Sequence, residues 1–497
     1  MRLLARKHGL LAAFATFAFT TVLAPLAQAA DVTWGGTYRV EAIKVSNPEL
    51  SSAKSNKSYL LHHLVLAPKI VAADGLTIYS RLDLFNNNVF GITQVGQINS
   101  VAGDTMGNGP GAGASTNSND SNPFSRTQRA GMLGVTSLYV SWAQEFGQLI
   151  VGRTPVEFGL GTAFNAGNGL FDHYIDTKDM IGYKLVLGNI SVFPMVGKVN
   201  EGVVGEEDDV NDYLIHAQFD NPESDLSIGA IYQLRTWTFA GNDLPITNST
   251  SNIGSTISGA PGAQTATAAT RVDGGNSKLL GVFARRATGD FKIGLEADML
   301  SGDTGLRTTG GSAVSLNAFA VAGEIGWKPA DRKLSGGLKA GFATGDDPGT
   351  PETYEGFSFN RNYDVALLMF NHPLGQYDAL RTGQDGSRAV PVRNAIDTES
   401  ISNAIYVAPN MQYQFAETLS AGGSAVYGVL NKDPIVGGSK SKNLGFEVDL
   451  NVTWKPFDRL TWIGQAAALL PGAAWAGSQN FEQTFAYGLF TKAAISF

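Results

Sequence analysis

The chain has 497 residues, no cysteine, 59 glycines, 10% aromatic residues and a net charge of −8. The acidic balance argues against nucleic-acid partners, and the lack of cysteine excludes a disulfide-stapled scaffold. Past the N-terminus no stretch approaches the roughly 18 consecutive apolar residues of a spanning helix, so any membrane crossing must be made by strands.

In chain order, Arg2, Arg6 and Lys7 come first, followed by the apolar run LLAAFATFAFTTVLAPLA and the small-x-small triplet Ala27-Gln28-Ala29. Basic start, apolar core and cleavage triplet define a signal peptide over 1–29, and the core is shorter than the ~20 residues a membrane anchor needs. The exported chain then runs over 30–497 as one domain. Without those three basic residues it carries 33 Lys and Arg against 44 Asp and Glu, a net charge of −11.

From there the hydrophobic period is two. Val32 to Lys44 alternates Trp34, Gly36, Tyr38, Val40 and Ala42 against Thr33, Gly35, Thr37, Arg39 and Glu41. Similar runs follow at 59–72, 76–87, 134–144, 147–154, 180–188, 190–198, 209–219, 225–238, 277–287, 290–300, 316–328, 333–344, 402–415, 418–430, 443–455, 458–470 and 482–497, which makes eighteen predicted strands.

Every second connection is a tight turn, as in AADG (72–75), QEFG (144–147), TGD (288–290) and KPFDR (455–459). The intervening connections are long, at 88–133, 155–179, 239–275 and 345–401. The tracts at 103–122 and 247–270 are Gly, Ser, Asn, Thr and Ala repeats with too little apolar surface to order themselves. Short turns on one side and long loops on the other predict an all-β, antiparallel, up-and-down transmembrane β-barrel with short periplasmic turns and long extracellular loops.

The faces agree with this. Phe446, Val448, Leu450, Val452 and Trp454 oppose Glu447, Asp449, Asn451 and Thr453, and Phe291, Ile293, Leu295, Ala297 and Met299 oppose Lys292, Gly294, Glu296 and Asp298. A soluble sandwich has the same alternation. Aromatic residues near strand ends (Trp34, Tyr38, Trp142, Tyr183, Trp327, Trp454, Trp462) and strands without charge or proline to blunt an exposed edge favour the membrane barrel.

The closing YGLFTKAAISF places Tyr487, Leu489, Ala493, Ile495 and Phe497 on one face and Lys492 on the other. It resembles the C-terminal strand of bacterial outer-membrane porin-type barrels, in which alternate apolar residues and a terminal aromatic are read by the barrel-assembly machinery. The resemblance implies an integral protein of the outer membrane of a diderm bacterium, delivered by periplasmic chaperones, in contact with lipid and lipopolysaccharide, and able to form homo-oligomers. By strand number the chain also resembles the 18-stranded sugar and alginate-export porins. In general porins the loop after the fifth strand folds into the lumen, which implies the same for 155–179.

A constriction built that way would set acids Glu157, Asp172, Asp176 and Asp179 against bases Arg39, Arg81, Arg153, Lys184 and Arg235 on lumen-facing strand positions, a transverse field that selects ions and orients dipolar solutes. In the loop 345–400, the run Val365-Ala366-Leu367-Leu368-Met369-Phe370 is too apolar to stay in water. It predicts a lid over the mouth or inward packing rather than a partner site. The acidic stretches GDDP (345–348) and GEEDD (205–209) lack the spacing of a calcium loop, so no metal and no cofactor is expected.

Outside the signal segment the histidines are His62, His63, His173, His216 and His372, and neither Gly-x-Ser-x-Gly nor His-Glu-x-x-His occurs, so a non-enzymatic protein is expected. The first strand starts too soon after the cleavage site to leave room for the plug of an energy-coupled transporter. The leading expectation is a porin for passive diffusion of ions and small hydrophilic solutes. A dedicated sugar or polysaccharide export porin, and a plugged structural or surface-recognition barrel, stand as alternatives.

Overall fold

The computed structural model describes residues 31–52, 54–89, 133–200, 210–237, 270–271, 274–308, 311–330, 332–347, 349–375, 400–433, 441–476 and 482–497. The segments read as signal peptide (1–29), acidic GEEDD (205–209), low-complexity tract (103–122) and nearly all of 247–270 lie outside the described residues.

Eighteen strands form the wall: β1 Gly36–Ser46, β2 Asn56–Leu66, β3 Leu76–Val89, β4 Leu133–Gln144, β5 Gly147–Pro155, β6 Thr177–Leu187, β7 Ile190–Asn200, β8 Val210–Asn221, β9 Leu226–Trp237, β10 Gly275–Thr288, β11 Phe291–Arg307, β12 Ala313–Trp327, β13 Leu334–Ala343, β14 Ala404–Ala416, β15 Leu419–Leu430, β16 Asn443–Phe457, β17 Leu460–Pro471 and β18 Ala486–Ser496. Each pairs antiparallel with the next. β18 pairs back onto β1, from Thr37 opposite Ser496 to Ser46 opposite Tyr487, so the sheet closes and has no edge. Pro68 has no N–H to donate, and β2 breaks there before resuming as Lys69–Ala73, against which the short strand Asp31–Thr33 lies. No described helix is long and apolar enough to cross a membrane.

The barrel is apolar outside and charged inside. Ile181, Leu295 and Leu450 stand more than half exposed on the outer face, whereas Glu41, Asp83, Asp212, Glu296 and Glu447 are at most 1% exposed and point inward. Lipid is the solvent of that outer face, which makes this a transmembrane barrel of the outer-membrane type. Trp34, Trp142, Phe291, Tyr413, Trp454, Phe457 and Phe497 ring the short-turn end on the outside, as interfacial aromatics do. Lys492 of β18 points inward to Glu41, 3.3 Å away. A one-residue slip would turn it to lipid at a cost of about 2–4 kcal/mol at mid-membrane.

Alternation fails in one region, for a physical reason. Toward the long-loop end of β12–β18 and β1, inward positions are apolar as well: Ala318, Ala320, Val426, Leu469, Ile43 and Val45 are all buried. They form one cluster with Phe357, Phe359, Leu368, Met369 and Phe370 of the long connection after β13, which folds into the barrel. The apolar run 365–370 is therefore packed inward.

Closure has a tight point. Gly36 and Phe497 exchange two backbone hydrogen bonds of 3.0 Å. A Cβ on Gly36 would strike the Val65 carbonyl oxygen and lie 2.7 Å from the Phe497 ring. Gly36→Val is expected to destabilise the closed barrel by about 1–3 kcal/mol, seen as a smaller heat-modifiable fraction on semi-native gels.

Candidate pore site: two inward loops and their anchors

The connection after β5, residues 156–176, runs into the lumen because its first half is apolar. Val156, Phe158 and Phe164 are buried against Met180, Met195, Leu214, Ile231 and Phe283 on the inner face of β6–β10, with Phe158 edge-on to Phe283 at 5.0 Å. Such a segment leaves backbone amides without partners, and one side chain collects them. Glu296, six strands away on β11, accepts the N–H of Leu160 and, at 3.3 Å, that of Ala163, while Thr162 Oγ1 donates to Asp298 Oδ2 at 2.7 Å. Gly159 (φ 56°) makes the close approach possible, since a Cβ there would collide with the Glu296 carboxylate.

The tip of this loop crosses to the opposite wall and is held by charge. Arg39 on β1 donates to the Asp172 carbonyl at 2.5 Å, and Arg81 on β3 donates to the Gly167 carbonyl at 2.9 Å. His173 Nε2 lies 2.8 Å from Glu41 on β1, and Lys492 Nζ lies over the Phe171 ring at 5.9 Å.

The second loop, described over 349–375, repeats the device. Glu447 on β16 accepts three successive amides, those of Leu367 (3.0 Å), Leu368 (2.7 Å) and Met369 (2.8 Å), with its Leu367 amide also 3.3 Å from Asp449. One side chain thereby satisfies amides that the wall's own ladder cannot reach. Phe359 packs edge-on to Tyr363 at 5.5 Å, and His372 stacks on Phe490 of β18 at 5.7 Å. Burial, helped by neighbouring Tyr406, pushes the Tyr363 phenol far above its ordinary value. At the root of the loop Lys432 Nζ bonds Asp347 at 2.9 Å, which holds that carboxyl below and the ammonium above their usual ranges.

The two loops meet inside the barrel. Asp176 accepts from the Asn165 amide (2.8 Å) and from Asn360 Nδ2 (2.7 Å). Asn362 donates to the Tyr174 carbonyl at 2.8 Å and accepts the Tyr174 N–H at 3.1 Å, and the Arg361 guanidinium sits 5.0 Å from the Tyr174 ring centre.

Of the residues expected to form a constriction, Arg39, Arg81, Asp172 and Asp176 do come together around the 156–176 loop, in roles different from a simple field. The two arginines grip carbonyls, Asp172 caps its own Gly169 amide at 2.6 Å, and Asp176 joins the loops. Glu157 is exposed and accepts from Asn168 at 2.9 Å. Lys184 stands nearer the short-turn end of β6. Arg235 is buried in a cluster with Asp212, which it meets at 2.6 and 2.8 Å and which also takes Lys178 at 2.7 Å.

Arg153 and Asp179 correct the expectation. They share the face of exposed Val151 and Ile181, so they point away from the lumen. They form a bidentate pair of 2.7 and 2.6 Å between directly opposed strand positions, both sides half exposed. Their polarity suggested the lumen, but at the long-loop ends of β5 and β6 an outward charge is tolerated. The anchors Glu41, Glu296 and Glu447 were not expected as site residues. The signal available was the Glu-x-Asp spacing repeated on β11 and β16 opposite an apolar face.

No family model and no curated protein sequence matches the chain. Among solved structures it is similar to OccK9 (OpdG) of Pseudomonas aeruginosa, at 12% identity and a TM-score of 0.49 over 94% of this chain and 98% of that one. It is similar to a BenF-like porin from Pseudomonas fluorescens Pf-5, at 9% identity and a TM-score of 0.47 over 94% and 98%. It is also similar to OmpTdeltaL8, a loop L8 deletion mutant of an outer membrane protein of Vibrio cholerae, at 9% identity and a TM-score of 0.37 over 95% and 100%. The class is defined by the barrel's own closure and apolar exterior.

Glu447→Ala strands the buried amides of Leu368 and Met369, while that of Leu367 keeps Asp449, and is expected to cost about 3 kcal/mol or more, read as faster tryptic cleavage at Arg361 in a barrel that still shows heat modifiability. Arg153→Ala removes an exposed pair and is expected to change stability by about 0–1 kcal/mol, with no change in that cleavage.

Proposed function

We propose that this chain is an outer-membrane porin, exported by its 1–29 signal peptide, which gives ions and small hydrophilic solutes a passive route narrowed by the 156–176 and 349–375 loops. The observation that carries the reading is the meeting of two separately anchored loops inside an eighteen-stranded wall, since barrels of this size leave an aqueous passage unless something occupies it. The strand-borne cations Arg39, Arg81 and Lys492 lie along one side of the 156–176 tip. On the other side, Glu296 and Asp298 are engaged with loop backbone and hydroxyl groups. Each of these cations is paired on the wall, Arg39 and Lys492 with Glu41 at 3.2 and 3.3 Å and Arg81 with Asp83 at 3.3 Å, so both signs of charge line that side of the tip.

A second reading is supported by the apolar cluster that the 349–375 loop forms with β12–β18: the loops fill the barrel, and its exposed surface serves recognition or structure. Single-channel recording of the refolded full-length protein in planar bilayers, with reversal potentials under a salt gradient, separates the two. Stable conductance steps are expected, and Arg39→Ala with Arg81→Ala should free the tip and raise conductance. Silence from a heat-modifiable barrel would give the second reading the lead.

A further inference from the structure

One titratable ring touches the apolar root of the 156–176 loop. His216 stands on the inner face of β8, opposite Phe193 of β7 on one side and Ile231 of β9 on the other. Across its edge lies Phe158, an apolar anchor of the loop, with the ring centres 5.4 Å apart and the planes at 74°. Phe158 in turn covers Gly281 of β10, where a Cβ would come within 2.8 Å of its ring. The imidazole as a whole is half buried, but its Nε2 is fully buried and has no hydrogen-bond partner.

A neutral imidazole fits this contact and a charged one does not. The neutral ring can leave Nε2 as a bare lone pair, whereas the protonated ring carries an N–H there that finds no acceptor. The surrounding charges do not compensate. Lys184 of β6 faces the ring with the same sign. Asp220, four residues along β8, faces it with the opposite sign, but its carboxylate already accepts from Ser227 Oγ at 2.6 Å and Gln218 Nε2 at 2.8 Å and is also drawn to Arg285 of β10. The inward neighbours on β7 and β9 are uncharged. On the loop side Glu157 accepts from Asn168, and beyond Phe158 the carboxylates of Glu296 and Asp298 are engaged with Ala163 and Thr162.

We infer that His216 is a proton sensor for this loop: residues 156–164 stay docked on β6–β10 while the ring is neutral and lift off when the lumen turns acidic. The tip responds differently. His173 lies 2.8 Å from the anionic Glu41, so a proton there meets a counter-charge, one that Arg39 and Lys492 share at 3.2 and 3.3 Å. Acid therefore frees the root, leaves the tip fastened and swings 156–164 from the wall into the passage. An exposed imidazole titrates near pH 6.5, so a docked state that takes only the neutral ring keeps its full strength above that pH and weakens by up to about thirtyfold at pH 5. The inference adds a control to the channel reading, and only its conductance arm depends on that reading.

The test uses the refolded full-length protein at pH 7.5 and pH 5, in two measurements: hydrogen exchange of the 156–164 peptide, corrected for the intrinsic effect of pH, and single-channel conductance. Protection of 156–164 is expected to fall about tenfold or more at pH 5, and conductance to fall with it. His216→Phe and His216→Gln, which cannot take the charge, should keep both at their pH 7.5 levels, while His173→Gln should leave the response of 156–164 in place. Protection that does not change with pH, or that falls equally in both His216 variants, overturns the inference, and conductance steps in that case leave the channel reading intact. A fall in protection that depends on His216 in a barrel silent at both pH values keeps the sensor and removes the channel reading.

Discussion

Two glutamates decide what the inside of this barrel is. The wall satisfies its own backbone hydrogen bonds strand by strand, but a segment that turns into the lumen leaves that ladder behind, and its buried amides need acceptors. Glu296 supplies them for the 156–176 loop and Glu447 for the 349–375 loop. In each case an aspartate two residues on, and thus on the same face, adds a contact to the same loop: Asp298 to Thr162, and Asp449 to Leu367. The anchors sit on strands away from the roots of the loops they hold, so each loop spans lumen instead of lying on its own hairpin.

The loops are held with different strengths. Leu368, Met369, Phe370 and Leu374 are completely or almost completely buried. At about 1.5–3 kcal/mol for each such side chain, the 349–375 loop is a permanent filling of its side of the barrel. The tip of the 156–176 loop has no comparable apolar burial beyond Phe164. It depends on Arg39, Arg81 and the His173–Glu41 contact, which are polar. That difference makes one half of the long-loop mouth a packed core and leaves the other half lined by charge.

The barrel was legible in the sequence because lipid and water impose the same rule on every strand. An outward residue must be apolar, so Phe446, Val448 and Leu450 mark their face without knowledge of any neighbour, and turn length tells which end is which. That 365–370 leaves water was legible for a related reason, since six apolar residues do not remain exposed, while the choice between a lid and inward packing was not. The site was legible only in part. Arg153 and Asp179 look like lumen charges by residue type, yet the parity set by Val151 and Ile181 turns them outward. Asp172 and Asp176 were visible as acids near a loop tip, but Asn360, which occupies an Asp176 oxygen from 184 residues away, comes from a contact that no local spacing announces.

By itself, then, the sequence determined the strands, their faces, the direction of the hairpins and the withdrawal of the apolar run from water, because each follows from the local balance between side chains and the medium they face. Only the tertiary structure decided that this run packs inward, which carboxylates hold the loops, and that the two loops meet at Asp176 and Asn360. Those depend on the register between strands and on contacts such as Glu447 with Leu368, 79 residues apart, and Asp176 with Asn360, 184 residues apart, and a two-residue period carries no information about which strand lies across the lumen.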